Sequence, residues 1–278
     1  MNRPPFKLGY TLTTSCLPCP FKYQQTNGKP RGSNDSEEAT IGTLLHVLGM
    51  WNDQHLVVRR GKPGQAGRSQ DIEVLRIFRD RILQEADINP QGNMGRFYLA
   101  LAKQYETYKL PQGNGQWLFE QRMEVDRNWQ PCAVNDEFDG VQGTGDRIFI
   151  SADGLSGSVL DRKFGHFPVS YDTAKDSIQL KTYVWLTMLH HPSIRVMAGT
   201  LDSYTLHGCG DSTADFHREP LCSEMEAWYG GKFAELEAEY ALKGSKPWRA
   251  YGHWSCCRFC TLRCPRLSEI TGGQINAS

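Results

Sequence analysis

Gly143-Thr144-Gly145-Asp146, followed fifteen positions later by Asp161-Arg162-Lys163 (161 − 146), is the part of the sequence whose reading decides the fold. The pattern is a carboxylate on one strand, a turn at Asp153-Gly154, and a second strand ending in Asp-x-Lys. Side chains alternate across a strand, so Asp161 and Lys163 share one face while Leu160 and Arg162 share the other. Two carboxylates beside a lysine can hold a divalent cation and a water for attack on phosphorus. The same residues also suit a solvated surface hairpin, because charged strand positions usually face water. The rest of the chain has to decide between the two.

At 278 residues, 39% hydrophobic and 22% charged, the chain has the length and composition of a globular protein with a substantial core. It lacks an apolar run of the ~18 residues that a membrane helix needs. The start, Met1-Asn2-Arg3-Pro4-Pro5, has no apolar h-region, so no secretion signal is expected. These features predict a cytoplasmic protein. The formal net charge is zero, so any attraction to phosphate must come from local basic patches. Arg59-Arg60-Gly61-Lys62 with Arg68 is one; taken alone it also reads as an exposed polar loop.

Outward from the central stretch, helical spacing of Ile41, Leu44, Leu45 and Leu48 predicts a helix that starts near Asp35-x-x-Glu38. His46 lies off that stripe, on a face with Gly42 and Gly49, where small neighbours leave room above it. Residues 54–68 read as a basic, glycine-bearing loop. Ser69 can cap a second helix with Ile72, Leu75, Phe78 and Ile82 as its stripe, ended by Asn89-Pro90-Gln91-Gly92. A third helix is expected over about 94–108. Strands are expected at Trp117–Val125, near 145–151, through Asp161, and over Ile194–His207. Helices are expected over 174–190, with Gln179 and Tyr183 stacked four apart, and over 221–243, doubtful around Gly230-Gly231. No internal repeat or low-complexity tract is visible. The order of elements suggests one α/β domain, a mixed sheet with a helical excursion at about 69–108.

Four separated elements now stand in one order: Gly42-x-x-x-His46 on a helix, Gly143-x-x-Asp146 on a strand, Asp161-x-Lys163 on the next strand, and Gln179-x-x-x-Tyr183 on the following helix. In that order they resemble the RecB-type branch of the PD-(D/E)xK nuclease superfamily, over about residues 9–266. Cys19-Pro20-Phe21-Lys22-Tyr23 and the terminal cysteines resemble its iron–sulfur subgroup, which includes CRISPR-adaptation nucleases, AddB-type helicase–nucleases and phage relatives. The resemblance implies a restriction-endonuclease-like fold: a mixed central sheet flanked by helices, with a helical insertion and a C-terminal cysteine-cluster segment, all in one domain spanning 1–278. It implies that His46, Asp146, Asp161 and the backbone carbonyl of Arg162 hold the metal. Lys163 would orient the attacking water, and Gln179 and Tyr183 would support the site; packing of Tyr183 under the sheet is the alternative. Glu124 reads as an acid behind the ligands or as merely exposed. An imidazole suits Mn²⁺ better than Mg²⁺, so activity with both, better with Mn²⁺, is expected. The implied activity is phosphodiester hydrolysis of DNA, as an exonuclease on single strands or duplex ends.

Nine cysteines without a secretion signal argue for metal ligation over a disulfide framework. Cys257-x-x-Cys260-x-x-x-Cys264-Pro265 lets thiolates converge on one centre. Zinc sites usually show two Cys-x-x-Cys pairs; here there is one cluster of three and a distant Cys-Pro. The subgroup's layout implies a [4Fe–4S] cluster on Cys19, Cys257, Cys260 and Cys264, formed by the Cys19 region and 246–266, with zinc as the alternative. The subgroup commonly has five residues before its last cysteine and this chain has three. Cys16 and Cys256 could each replace a neighbour. Ligands so far apart would staple the two chain ends together, much as a long-loop cross-link does. Cys132, Cys209 and Cys222 suit small buried hydrophobes. No Gly-x-x-x-x-Gly-Lys-[Ser/Thr] loop is present, so unwinding would need a helicase or a recombination or CRISPR-adaptation partner. A non-catalytic DNA-binding or assembly protein on a degenerate nuclease fold is the competing reading.

Overall fold

The computed structural model describes residues 5–9, 24, 37–60, 68–106, 114–133, 138–165 and 173–243. Strand β1 (Lys7–Leu8) comes first. Three helices follow, α1 (Glu37–Arg60), α2 (Arg68–Glu85) and α3 (Asn93–Ala102), the last running into a 3₁₀ turn at Lys103–Glu106. Next come strands β2 (Gly115–Asp126), β3 (Gly140–Ser151) and β4 (Ser156–Phe164), a short helix α4 (Thr173–Asp176) and helix α5 (Ile178–His190). Strands β5 (Val196–Thr205) and β6 (Gly208–His217) and the long helix α6 (Arg218–Lys243) end the described chain.

The helices form where the apolar spacing places them, and their ends differ from expectation for visible reasons. α1 continues to Arg60, through what the sequence suggested was loop. Contacts with α2 hold these last turns: Trp51 stacks on Phe78 at 4.4 Å, and His55 Nε2 lies 3.0 Å from Asp71 Oδ1. The expected 174–190 helix is broken at Ser177, whose extended backbone and side-chain oxygen cap α5 by accepting the Leu180 N–H. α6 passes through Gly230-Gly231 without a break, because Tyr229, Phe233 and Leu236 are buried on one face around them.

β3 is the centre of the sheet. Along one edge it pairs antiparallel with β2, from Gly115 opposite Ser151 to Asp126 opposite Gly140. Its other edge is shared. β1 pairs parallel at Gly140 and Val141, and β4 pairs antiparallel only from Arg147 opposite Leu160 to Ile150 opposite Gly157. Past Leu160, β4 leaves β3 but stays parallel with β5 as far as Phe164 opposite Tyr204. The two strands therefore part at Asp146 and Asp161. The β4–β5 connection runs through α4 and α5, as a parallel pair requires. β6 closes the sheet beside β5. The sequence reading missed β6: Gly208-Cys209-Gly210-Asp211 lacks apolar alternation, and only Ser212 and Phe216 of this strand are buried. It also began β3 too late, because Gly140–Gly145 reads as turn-like. Those glycines admit neighbours; a Cβ on Gly143 would lie 3.0 Å from side-chain atoms of both Tyr183 and Leu186 on α5.

Two cores result. Val141, Ile148, Val159, Leu180, Trp185, Met197, Tyr229 and Phe233 fill the space between the sheet and helices α5 and α6. Ile41, Leu45, Leu48, Leu75, Tyr98, Leu101 and Tyr105 join α1, α2 and α3, and Tyr204 of β5 ties this second core to the sheet. The fold is thus α/β with a mixed central sheet flanked by helices, as the sequence led us to expect.

Gly49 shows how closely α1 approaches β4. Replacing glycine by alanine in a helix normally gains about 1 kcal/mol. Here the added methyl would lie 2.5 Å from Tyr105 Oη and 3.2 Å from Arg162 Cζ, both in buried side chains. Gly49→Ala is therefore expected to destabilise by about 1–3 kcal/mol. Urea unfolding should show a lower midpoint at unchanged slope.

Candidate active site

The parting of β3 and β4 leaves backbone groups without ladder partners, and a side chain takes over. The Arg162 N–H donates to Asp146 Oδ2 at 2.6 Å. Asp146 is 6% exposed and Asp161 2%, so the surface-hairpin reading of these acids is excluded. Lys163 Nζ lies 2.7 Å from Asp161 Oδ2 and donates to Gln179 Oε1 at 2.6 Å; Gln179 Nε2 donates to Tyr183 Oη at 2.8 Å. One unbroken run of polar contacts therefore joins the end of β4 to the first turns of α5.

α1 closes the other side. His46 Nδ1 lies 3.4 Å from Asp146 Oδ2, and its ring meets Phe164 edge-on at 5.0 Å. Of the two glycines expected to leave room beside it, Gly42 does: nothing lies within 4 Å of its Cβ position. The space over Gly49 is taken by Tyr105 and Arg162.

The sequence reading missed Glu120. Ligand atoms of His46, Glu120 and Asp146 all lie within 4.8 Å of one another. With Phe119 opposite Arg147 and Gln121 opposite Gly145, Glu120 falls opposite Asp146, but the ladder is interrupted there and Glu120 has φ +47. Such a conformation costs a non-glycine residue on the order of 1–3 kcal/mol and persists only where the surroundings impose it. Its Oε1 is buried without a hydrogen-bond partner among the described residues. The strand register could have suggested it; the left-handed backbone could not be read from sequence. Glu124, weighed instead, pairs with Arg122 at 2.6 Å and is not among the three.

Burial sets the charges. It pushes the Asp161 carboxyl up to about 6, opposed by Lys163, and raises Asp146 as well. Burial, then the neighbouring Asp146, pushes Glu120 to about 7. Burial and the nearby Arg162 lower His46 to about 4, so its imidazole is neutral. A neutral imidazole and the carboxylates of Glu120 and Asp146 are donors that a divalent cation fits, hard oxygens with one nitrogen; Asp161, an expected ligand, is not among these three.

The proposed cluster ligands Cys19, Cys257, Cys260 and Cys264, with Cys16 and Cys256, lie outside the described residues. Cys132 and Cys222 are half-buried and Cys209 is exposed, so the last is not the buried hydrophobe expected. No helix among the described residues is long and apolar enough to cross a membrane.

Residues 11–264 match the family model of the PD-(D/E)XK nuclease superfamily, and the chain belongs to that superfamily. Two solved structures are similar at low identity. A protein from Eubacterium rectale named as a candidate exonuclease is 11% identical, with 92% of this chain and 86% of that one covered and a TM-score of 0.43. The other, SSO0001, is 13% identical, with 54% of this chain covered and a TM-score of 0.32; the match spans 59% of that protein's length. Comparison with curated proteins gives no match.

The folded Glu120 carboxyl is raised above its unfolded range, so the stability it lends is full at low pH and is lost as pH rises toward about 7. In EDTA, Glu120→Gln should unfold near the wild-type temperature at pH 4.5 and at a higher temperature than wild type at pH 8. Thermal melts at the two pH values check this.

Proposed function

We propose that this protein is a cation-dependent deoxyribonuclease, acting as an exonuclease on single-stranded DNA or duplex ends. The observation that carries the reading is the Asp161–Lys163–Gln179–Tyr183 run beside Asp146. Asp146, Asp161, His46 and the Arg162 carbonyl would hold Mn²⁺ or Mg²⁺, with the Glu120 carboxylate in reach. When bound, the cation would lower the pKa of a water and offset phosphate charge. Lys163, held from two sides, orients that water and donates to a phosphate oxygen on which charge develops. Gln179 fixes the lysine rotamer and Tyr183 fixes Gln179, so the ammonium group is placed before substrate arrives. A protein that only held DNA would have little use for a lysine pinned to a buried aspartate.

The RecB-type iron–sulfur assignment rests on sequence alone. In this reading Cys19, Cys257, Cys260 and Cys264 staple the chain ends with a [4Fe–4S] cluster within one nuclease domain spanning 1–278; a zinc staple would leave the chemistry unchanged. The protein would work in the cytoplasm, with unwinding supplied by a helicase or by a recombination or CRISPR-adaptation partner. With zero net charge, its hold on DNA alone should be weak and salt-sensitive.

Anaerobically purified protein should degrade end-labelled single-stranded DNA with Mn²⁺, more slowly with Mg²⁺, and not in EDTA. Lys163→Ala and Asp161→Ala should each lose about 100-fold or more. Cutting that survives both substitutions places the chemistry elsewhere, and a metal-loaded protein that never cuts returns the non-catalytic reading.

A further inference from the structure

The helix that supplies His46 touches the site strands a second time, from behind. Asp53 lies seven positions further along α1 (53 − 46), on the same side of the helix, and is 0% exposed. Its Oδ2 pairs with Nη2 of Arg162, and its Oδ1 lies 3.7 Å from Nη1 of Arg147. Both arginines are buried. Each is the next residue after a site carboxylate: Arg147 follows Asp146, and Arg162 follows Asp161. In strands that alternate, each guanidinium emerges on the face away from its neighbour's carboxylate. One acid on one helix thus hydrogen-bonds the guanidinium that follows Asp161 and stands in ion-pair range of the one that follows Asp146.

For Arg162 the surroundings leave Asp53 this task. Arg162 Nε and Nη1 have no hydrogen-bond partner among the described residues, and the Tyr105 ring lies 5.8 Å from the guanidinium. The nearby acid Asp202, on β5, takes a hydrogen bond from Tyr204 Oη at 2.8 Å. Fold stability gives a poor reason for the arrangement, since buried charged trios are often replaced by apolar residues without loss.

We propose that Asp53 is a positioning residue of the active site. By fixing Arg162 and Arg147 it sets the separation of Asp146 and Asp161, and it places the Arg162 peptide whose N–H holds Asp146. The inference rests on the nuclease reading for the use made of that geometry, not for the geometry itself.

Two variants of the full chain test it. Asp53→Glu keeps the charge and moves the carboxylate by one methylene. The triple substitution Asp53→Leu, Arg147→Met, Arg162→Met removes all three charges and keeps the Arg162 peptide. Each is measured for thermal unfolding, for Mn²⁺ affinity by titration of the free-Mn²⁺ electron paramagnetic resonance signal, and for kcat and KM on single-stranded DNA. A positioning role predicts folded protein that binds Mn²⁺ at least tenfold more weakly, with kcat at least tenfold lower and KM for DNA within twofold. Either variant, folded and with wild-type Mn²⁺ affinity, overturns the proposal. Failure of both to fold also overturns it, since Asp53 would then serve the core. Wild-type protein that binds Mn²⁺ but cuts no DNA would sink only the nuclease reading, because the affinity comparison still decides the role of Asp53. Wild-type protein that binds no Mn²⁺ would sink both.

Discussion

The hydrogen bond from the Arg162 N–H to Asp146 Oδ2 is the constraint on which the rest depends. A buried backbone donor must have a partner. Where β4 leaves β3, the ladder stops supplying one and a carboxylate replaces it. The substitution fixes Asp146 to the backbone of the neighbouring strand, at the residue after Asp161. Both acids sit where two strands stop pairing, so no loop is needed to present them. Sites carried on strands in this way hold their geometry better than sites carried on loops.

Helices then attach to both sides of that opening. α5 brings Gln179 and Tyr183 onto Lys163, while α1 brings His46 onto Asp146 and Asp53 onto the two arginines. Buried charges are costly, and here they gather about one point of the sheet: Asp53, Asp146, Arg147, Asp161 and Arg162 are all at most 6% exposed. The electrostatic consequence is a group of buried carboxylates beside a neutral imidazole, with two buried arginines next to them in the chain. The left-handed backbone at Glu120 adds strain at the same place. Strain and buried charge concentrated together are what a functional site leaves in a fold.

Much of this was legible in sequence, for reasons that differ by residue. Alternation placed Asp161 and Lys163 on one face, and helical spacing stacked Gln179 over Tyr183; both arguments are local and both hold in the structure. The turn at Asp153-Gly154 and the mixed sheet were readable in the same way. Glu120 was not, because its place depends on strand register and a backbone angle. Asp53 was not, because an acid near a helix end looks solvated until the strands beneath it are known. β6 escaped because an edge strand of glycine and short polar residues has no apolar alternation. The length of α1 escaped because tertiary contacts of Trp51 and His55 override a weak local signal.

The crossover between β4 and β5 also orders events in time. β3 and β4 emerge from the ribosome before β5, and the outer edge of β4, with Asp161-Arg162-Lys163 on it, stays unpaired until β5 has been made. Gln179 and Tyr183 arrive within that same interval, and α6, which seals the core beneath them, comes later still. A nascent chain that ends soon after Asp161 thus contains His46, Glu120 and Asp146 but still lacks Gln179, Tyr183 and the strand that pairs with Asp161-Arg162-Lys163. Strand order alone sets this sequence of assembly: the surroundings of Lys163 are complete only once β5 has been made.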